Sequence, residues 1–524
     1  MHESTVIQRA LLSVTDKTNI VPLAENLHLH GVEIISTGNT AAMLKEHGIP
    51  VIPVHEFTGF PEIMDGRVKT LHPKIAGGIL GRRDIDADIM ISHDIHDIDL
   101  VVVNLYPFAL TASKEDAHLA DIIENIDIGG PTLIRAAAKN YEWCTVLVDP
   151  HDYADFIKEM EENKGKVREQ FRFASAVKAF AHTASYDGAI ANFFGQIIDK
   201  QPLDGFGRHL SLNYHLKERL RYGENPQQHA AFYQEAKPDP SSITAATFIQ
   251  GKSLSYNNIQ DADCALECVK SLHKGACVIV KHANPCGVAF SQTAAQAYEK
   301  AYQSDPTSAF GGIIAFNEVV DDKLIKTIYD KQFVEVIIAP GFTQDAIVAA
   351  KQKENCRLLQ YHAGSPLIES LIEVRSVNGG LLVQSSAHFS SKEIAYDVVT
   401  KRAPTQAEIE DLMFSWQVAK FVKSNAIVFA KNGQTFGIGA GQMSRIFSTE
   451  IAALKAKQQG FDLKQSVMAS DAFFPFKDNI EKAHEMGITA IIQPGGSMRD
   501  KEVIECANQL GIAMVFTHVR CFKH

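Results

Sequence analysis

Three stretches of the chain combine bases, acids and cations closely enough to do chemistry. The first is Val278-Ile279-Val280-Lys281-His282-Ala283-Asn284-Pro285-Cys286-Gly287. Its β-branched residues predict a short buried strand. Asn284-Pro285 and Gly287 predict where it stops, because proline supplies no N–H and glycine accepts any turn geometry. Lys281 and His282 then stand at a strand end, where reactive side chains of open α/β sheets project. Such a pair offers an imidazole base beside an ammonium, with the Asn284 amide close by. The second stretch, Asp65-Gly66-Arg67-Val68-Lys69-Thr70-Leu71-His72-Pro73-Lys74, crowds cations and a histidine in a way that suits a phosphate. Arg67 and Lys69 share a side if it is extended; a solvated basic loop is the alternative. The third comprises two turns, Ser13 with Thr15, Asp16 and Lys17, and Ser36-Thr37-Gly38-Asn39-Thr40. Hydroxyls and N–H groups at a helix start bind anions, although plain helix capping predicts the same residues.

These residues need elements to carry them. Strands are predicted at Ala10–Val14, Val32–Ile35, Val51–Ile52, Leu100–Val103 and Thr145–Val148. Helices are predicted at Ile20–His30, Thr40–His47, Tyr153–Asn163 and Val167–Asn192. Strands alternating with helices imply a parallel sheet covered on both faces. Gln201-Pro202-Leu203-Asp204-Gly205-Phe206-Gly207 breaks the pattern and reads as a linker. Beyond it, Cys277–Phe290 and Asn425–Gly441 share an order of apolar strand, lysine, asparagine, glycine and apolar strand, which suggests two similar halves. Further strands are expected at Val334–Ala339, Leu381–Val383, Val398–Val399 and Ala513–Phe516.

A chain of 524 residues with 45% hydrophobic content is expected to hold two or three domains. A net charge of −11 argues against a nucleic-acid or acidic-membrane partner, though not against small anions in a local basic pocket. No basic-then-apolar run opens the chain, and its longest apolar run, Leu100–Leu110, is broken by Asn104 and Pro107, so neither a secretory signal nor a membrane span is expected. Eight cysteines without regular spacing fit reduced thiols.

The segments K-H-A-N-P-C-G from Lys281, R-Y-G-E-N-P-Q-Q from Arg221, G-R-V-K-T-L-H-P from Gly66, N-L-Y-P-F from Asn104, D-I-G-G from Asp127 and R-A-A-A-K-N from Arg135 lie along one chain. Together they resemble the AICAR transformylase/IMP cyclohydrolase family, from about Leu11 to His524. The resemblance implies an α/β protein. Residues 1–200 would form a methylglyoxal-synthase-like parallel-sheet domain and 201–213 a linker. Residues 214–524 would form a transformylase region of two cytidine-deaminase-like halves, approximately 214–385 and 386–524. It implies formyl transfer from 10-formyltetrahydrofolate to AICAR, then closure of formyl-AICAR to IMP with loss of water. Lys281, His282 and Asn425 would carry formyl transfer; Lys69, Tyr106, Asp127 and Lys139 would carry ring closure. Ser13, Lys17, Ser36, Arg67, Thr70 and Asn104 would hold the nucleotide of the first site. Arg221, Tyr222, Asn257, Arg520 and His524 would touch substrate in the second. Phe310, Gly311, Phe476 and Asn479 would meet folate. The resemblance further implies a cytoplasmic homodimer that needs no metal, with room for a monovalent cation. Two departures stand out: Asn39 replaces a second glycine, and Cys521 interrupts the common R-H-F-[RK]-H ending.

Two other classes compete. His282-Ala283-Asn284-Pro285-Cys286 superficially resembles the H-x-E…P-C-x-x-C signature of zinc deaminases, but Asn284 replaces the glutamate and no C-x-x-C follows. A non-catalytic nucleotide-binding regulator would keep the phosphate turns without needing Lys281-His282, Asn425 or Lys69.

Overall fold

The computed structural model describes residues 4–106, 108–112, 114, 116–198, 206–364, 372–386 and 394–524. Positions 201–205 of the expected linker and Pro107 lie outside them. The chain forms two compact units, Met1–Asn213 and Tyr214–His524.

In the first unit Arg9–Val14 is the middle strand of a five-stranded parallel sheet. Glu33–Ser36 and then Ile52–Pro53 lie on one side, Leu100–Asn104 and then Thr145–Leu147 on the other. Side chains alternate between two cores. Ala10, Leu12 and Val14 pack with Val102 and Leu147 on one face; Leu11 packs with Val101, Val103 and Val146 on the other. Burial on both faces is why these strands read as unbroken apolar runs. Because the strands are parallel, the turns after Val14, Ser36 and Asn104 all leave from one edge, where ligands of such sheets bind. One expectation is corrected. Lys166–Arg168 is a strand paired antiparallel with Ser4–Val6, so the final helix starts at Glu169 and runs to Ile198.

The second unit is built on a twelve-stranded sheet with an internal repeat. Its centre is the contact between Asn284–Phe290 and Gln434–Gly439. Outward from there, each half repeats one order: a hairpin partner (Ala276–Lys281; Ile427–Lys431), then three strands in chain order, then an edge strand that precedes the hairpin in sequence. The helix before each hairpin, Tyr256–Lys270 or Gln406–Ala419, opens with a capping box, Ser255/Asn258 or Thr405/Glu408. Gly287 and Gly437 occupy matching places. A Cβ on either would sit 2.0 or 2.1 Å from a helix carbonyl, of Ala301 or Ala452, so only glycine lets helix and strand approach this closely.

The hairpin also corrects the reading around Lys281. Asn284-Pro285 and Gly287 do not end the strand's sheet; they begin the next strand, which pairs back on the first through a bulge between Ile279 and Val280. Pro285 is tolerated where the regular register is already broken. His282 and Ala283 form the two-residue turn.

Candidate active sites

At the sheet edge of the first unit, Asn104 organises the turn after Val14. Its Oδ1 accepts the N–H groups of Thr15 at 2.6 Å and Asp16 at 2.8 Å, and its Nδ2 donates to the Asp16 carbonyl at 3.0 Å. The hydroxyls of Ser13 and Thr37 lie 2.8 Å apart. Lys17 Nζ donates to the Thr40 hydroxyl at 2.7 Å and to the Val14 carbonyl. Burial holds the Lys17 pKa below its ordinary value, against the pull of Asp16. Thr37 is the N-cap of the helix Gly38–Glu46, yet its side chain makes no capping bond. Two hydroxyls, an ammonium and the leading amides of a helix therefore meet, a donor set suited to a phosphate. Ser36 does not belong to it: its hydroxyl is fully buried and donates to the Leu12 carbonyl at 2.7 Å, locking two strands together. Thr37 takes that place; Thr40 is 2% exposed, and its hydroxyl donates to the Val14 carbonyl at 3.1 Å as it holds Lys17. The glycine replacement is also accommodated, because the left-handed residue is Gly38 and Asn39 lies within the helix.

The candidate ring-closing group forms around Asp127. Its Oδ1 accepts the Gly130 N–H at 2.7 Å at the start of the helix Gly129–Lys139. Burial raises the Asp127 carboxyl above the usual carboxylate range, opposed by the N–H groups of Gly130 and Tyr106 and by the charge of Lys69. Lys69, Tyr106 and Asp127 are thus neighbours, and Tyr106 is 47% exposed. Thr70 joins them, since a Cβ on Gly129 would lie 2.9 Å from its hydroxyl. Arg67 and Lys69 engage different partners. A bridge between Ile63 and Val68 folds the segment back, turning Arg67 to Glu124 and Lys69 towards Glu62 at 3.8 Å. Lys139 is exposed in the last turn of the helix that Asp127 opens. At the helical rise its backbone stands about 15 Å along the axis from the Gly129 end of that helix.

In the second unit the helix Tyr256–Lys270 sets up the other site. Asn257 and Asp261 lie one turn apart on one face. Asn257 Nδ2 donates to the Glu224 carbonyl at 3.3 Å, which ties down the loop that carries Arg221 and Tyr222. Asp261 accepts the N–H groups of His282 and Ala283. Lys281 Nζ donates to the Gly311 carbonyl at 2.9 Å. Gly311 has φ +68°, a conformation that favours glycine, and a Cβ there would lie 3.1 Å from Lys281 Nζ, so a side chain would crowd the ammonium. Phe310 beside it is 63% exposed. Asn284 Oδ1 accepts the Lys423 N–H at 2.9 Å, which joins the His282 turn to Ser424-Asn425. Asn425 Nδ2 donates to the Gln442 carbonyl at 2.8 Å, and its own carbonyl accepts from the Ser448 hydroxyl at 2.6 Å.

The chain end is anchored here. The Cys521 N–H donates to the Asp471 carbonyl at 3.1 Å, and the Ser424 N–H to the Lys523 carbonyl at 2.8 Å. Cys521 is buried, its thiol pushed up by that burial, so the departure from the common ending is a packed core residue. Arg520 lies over the Phe473 ring at 5.0 Å, and His524 lines a cavity of about 840 Å³ with Lys420 and Phe421. Phe476 is 49% exposed under Arg499, 4.7 Å away. Asn479 is 2% exposed and its amide is engaged by Thr449 and Asp478, so reading a pterin edge would exchange those bonds.

Residues 137–455 match the AICARFT/IMPCHase bienzyme family, and residues 19–132 match the MGS-like domain. The chain belongs to the AICARFT/IMPCHase bienzyme family. Its fold is that of the bienzyme, an MGS-like first domain followed by the transformylase region. It is accordingly an enzyme of purine biosynthesis with formyltransferase and IMP cyclohydrolase activities. A solved chain titled "Crystal structure of ForH" is similar at 38% identity, covering 36% of this chain and 100% of that chain, with a TM-score of 0.33. Among the described residues no helix is long and apolar enough to cross a membrane.

Proposed function

We propose that the two activities divide between the two units. Formyl transfer uses Lys281, His282 and Asn425; ring closure uses Lys69, Tyr106 and Asp127. The bond from the Lys423 N–H to Asn284 carries the first assignment, because it brings Asn425 beside the His282 turn although the two are far apart in sequence. The co-substrate is 10-formyltetrahydrofolate. The 5-amino group of AICAR is conjugated with its ring and carboxamide and is a weak nucleophile. His282 takes its proton as the nitrogen attacks the formyl carbon. Lys281 stabilises the oxyanion, and the folate nitrogen leaves with a proton as the tetrahedral intermediate collapses. Phe310 and Gly311 beside Lys281, with Phe476, offer flat apolar contact for the pterin. Arg221, Tyr222, Asn257, Arg520 and His524 bind the nucleotide from the surrounding loops and chain end. The enzyme works as a cytoplasmic homodimer.

Ring closure asks less of the protein. The carboxamide nitrogen and the formyl carbon belong to one molecule, so holding the reactive rotamer supplies much of the rate. Asp127 orients the carboxamide, Lys69 and Tyr106 handle charge and protons, and the Ser13, Lys17 and Thr37 group holds the phosphate.

The test is a crossed pair of variants of the whole enzyme. His282→Ala is expected to abolish formyl transfer while supplied formyl-AICAR still closes to IMP. Lys69→Ala is expected to keep releasing tetrahydrofolate while formyl-AICAR accumulates. Equal loss of both activities in either folded variant would sink the division.

A further inference from the structure

The turn that presents His282 has a copy in the other half of the unit, and the comparison isolates one more residue. His282 and Ala283 have φ +54° and +55°, the left-handed geometry of a two-residue hairpin turn. Such turns favour Asn-Gly; a histidine followed by an alanine has little intrinsic preference for them. The turn is instead held from outside. Asp261, on the helix Tyr256–Lys270, accepts the Ala283 N–H at 2.6 Å through Oδ1 and the His282 N–H at 3.3 Å through Oδ2.

In the second half every part recurs at one constant offset: the capping Ser255 as Thr405, Asp261 as Asp411, Lys281 as Lys431, His282 as Asn432, Ala283 as Gly433. Asp411 accepts the N–H groups of Asn432 and Gly433, each at 2.8 Å. Lys431 Nζ donates to a carbonyl, that of Lys464 at 3.0 Å, as Lys281 does to Gly311. The second turn therefore has the favoured Asn-Gly sequence and no base, while the first has the base and depends on its carboxylate.

We propose that Asp261 is a positioning residue for formyl transfer: its carboxylate fixes the left-handed turn from which His282 reaches the substrate, and Asp411 is the same clamp without a catalytic load. This rests on His282 being the base. The Asp261 carboxyl is raised by burial, opposed by the two N–H groups and by the charges of His282 and Lys281, in keeping with a carboxylate seated against this turn.

The experiment compares Asp261→Asn, Asp411→Asn, His282→Ala and Asp261→Asn/Ala283→Gly in the full-length enzyme. It reads thermal midpoint, and kcat and KM for formyl transfer. Each Asp→Asn change deprives one turn N–H of its acceptor, so both are expected to lower the midpoint. Only Asp261→Asn is expected to lower kcat, by about 10- to 100-fold, the scale of a displaced catalytic group, with little change in the KM for AICAR. Ala283→Gly, which makes the turn's second position free to adopt left-handed geometry, is expected to restore part of that kcat. Should Asp261→Asn yield little folded protein, the double variant is compared with Ala283→Gly alone. Wild-type kcat in Asp261→Asn, or equal kcat losses in Asp261→Asn and Asp411→Asn, would overturn the proposal while His282→Ala stays inactive. Activity retained in His282→Ala would overturn the assignment of the base itself, and this inference with it.

Discussion

Tyr186 shows how much of a site can rest on one hydroxyl. It stands on the helix Glu169–Ile198, its oxygen accepts the Asp127 N–H at 2.8 Å, and its O–H donates to the Asn125 carbonyl at 3.4 Å. Its ring meets Phe108 edge-on at 6.4 Å, two residues from Tyr106. Tyr186→Phe keeps the ring and leaves the part-buried Asp127 N–H without its partner, a loss of about 1 kcal/mol, the net worth of such a bond. The expected outcome is a ring-closing kcat lowered roughly tenfold, with formyl transfer unchanged. Steady-state assays of the two half-reactions check it; unchanged ring closure would remove Tyr186 from the site. Lys69 and Asp127 could be picked out from residue type and motif, because acids and cations in short polar segments advertise themselves. Tyr186 and Asp261 could not: their work is done by hydrogen bonds made across the fold, and nothing local in the sequence marks it.

At the scale of elements, caps and turns decide where the chemistry stands. Helix Gln406–Ala419 carries Asp411, and its start is fixed by Glu408. That carboxylate accepts the Thr405 N–H at 2.8 Å and both Arg402 guanidinium nitrogens, at 3.0 and 2.9 Å. Burial alone would raise its pKa, but Arg402 and the capping bonds outweigh it and hold the group at about 2 against an ordinary 4.5. A lowered carboxylate pKa means stability that is complete above the unfolded value and is lost as pH falls through the folded one. Glu408→Gln is therefore expected to melt below wild type near neutral pH, and the gap is expected to close between pH 4.5 and about 2. Thermal melts across that range check it, and a gap independent of pH would show that charge is not the cause. Most strands of the first unit were legible from their apolar runs. The His282 hairpin was misread because Asn-Pro usually ends an element; here the bulge at Val280 lets proline enter a strand, and the turn's stabilising carboxylate lies on a preceding helix.

For the whole molecule, the two units differ in how plainly the sequence announces them. The first alternates apolar strands with helices and so declares its parallel sheet. The second spreads its sheet over two halves whose matching parts are separated by long connections, leaving only a faint echo between Cys277–Phe290 and Asn425–Gly441. That echo reflects real architecture, since the strand order mirrors about the contact of Ala289 with Gln434. The first unit also has what independent folding requires. Among the described residues the five strands of its parallel sheet pair only with one another, and both sheet faces are covered by its own helices, with Leu11, Leu12, Val101 and Phe156 fully buried. A fragment ending at Asn213 keeps every one of those pairings, and it retains Lys69, Tyr106, Asp127 and Tyr186. It is expected to melt cooperatively and to close formyl-AICAR to IMP without any formyl transfer. Leu12→Ala in the same fragment is expected to cost about 2–5 kcal/mol, the range for emptying a packed leucine site. A fragment that fails to melt cooperatively would mean the sheet needs support from beyond Asn213, and a folded fragment without ring closure would mean that its site does.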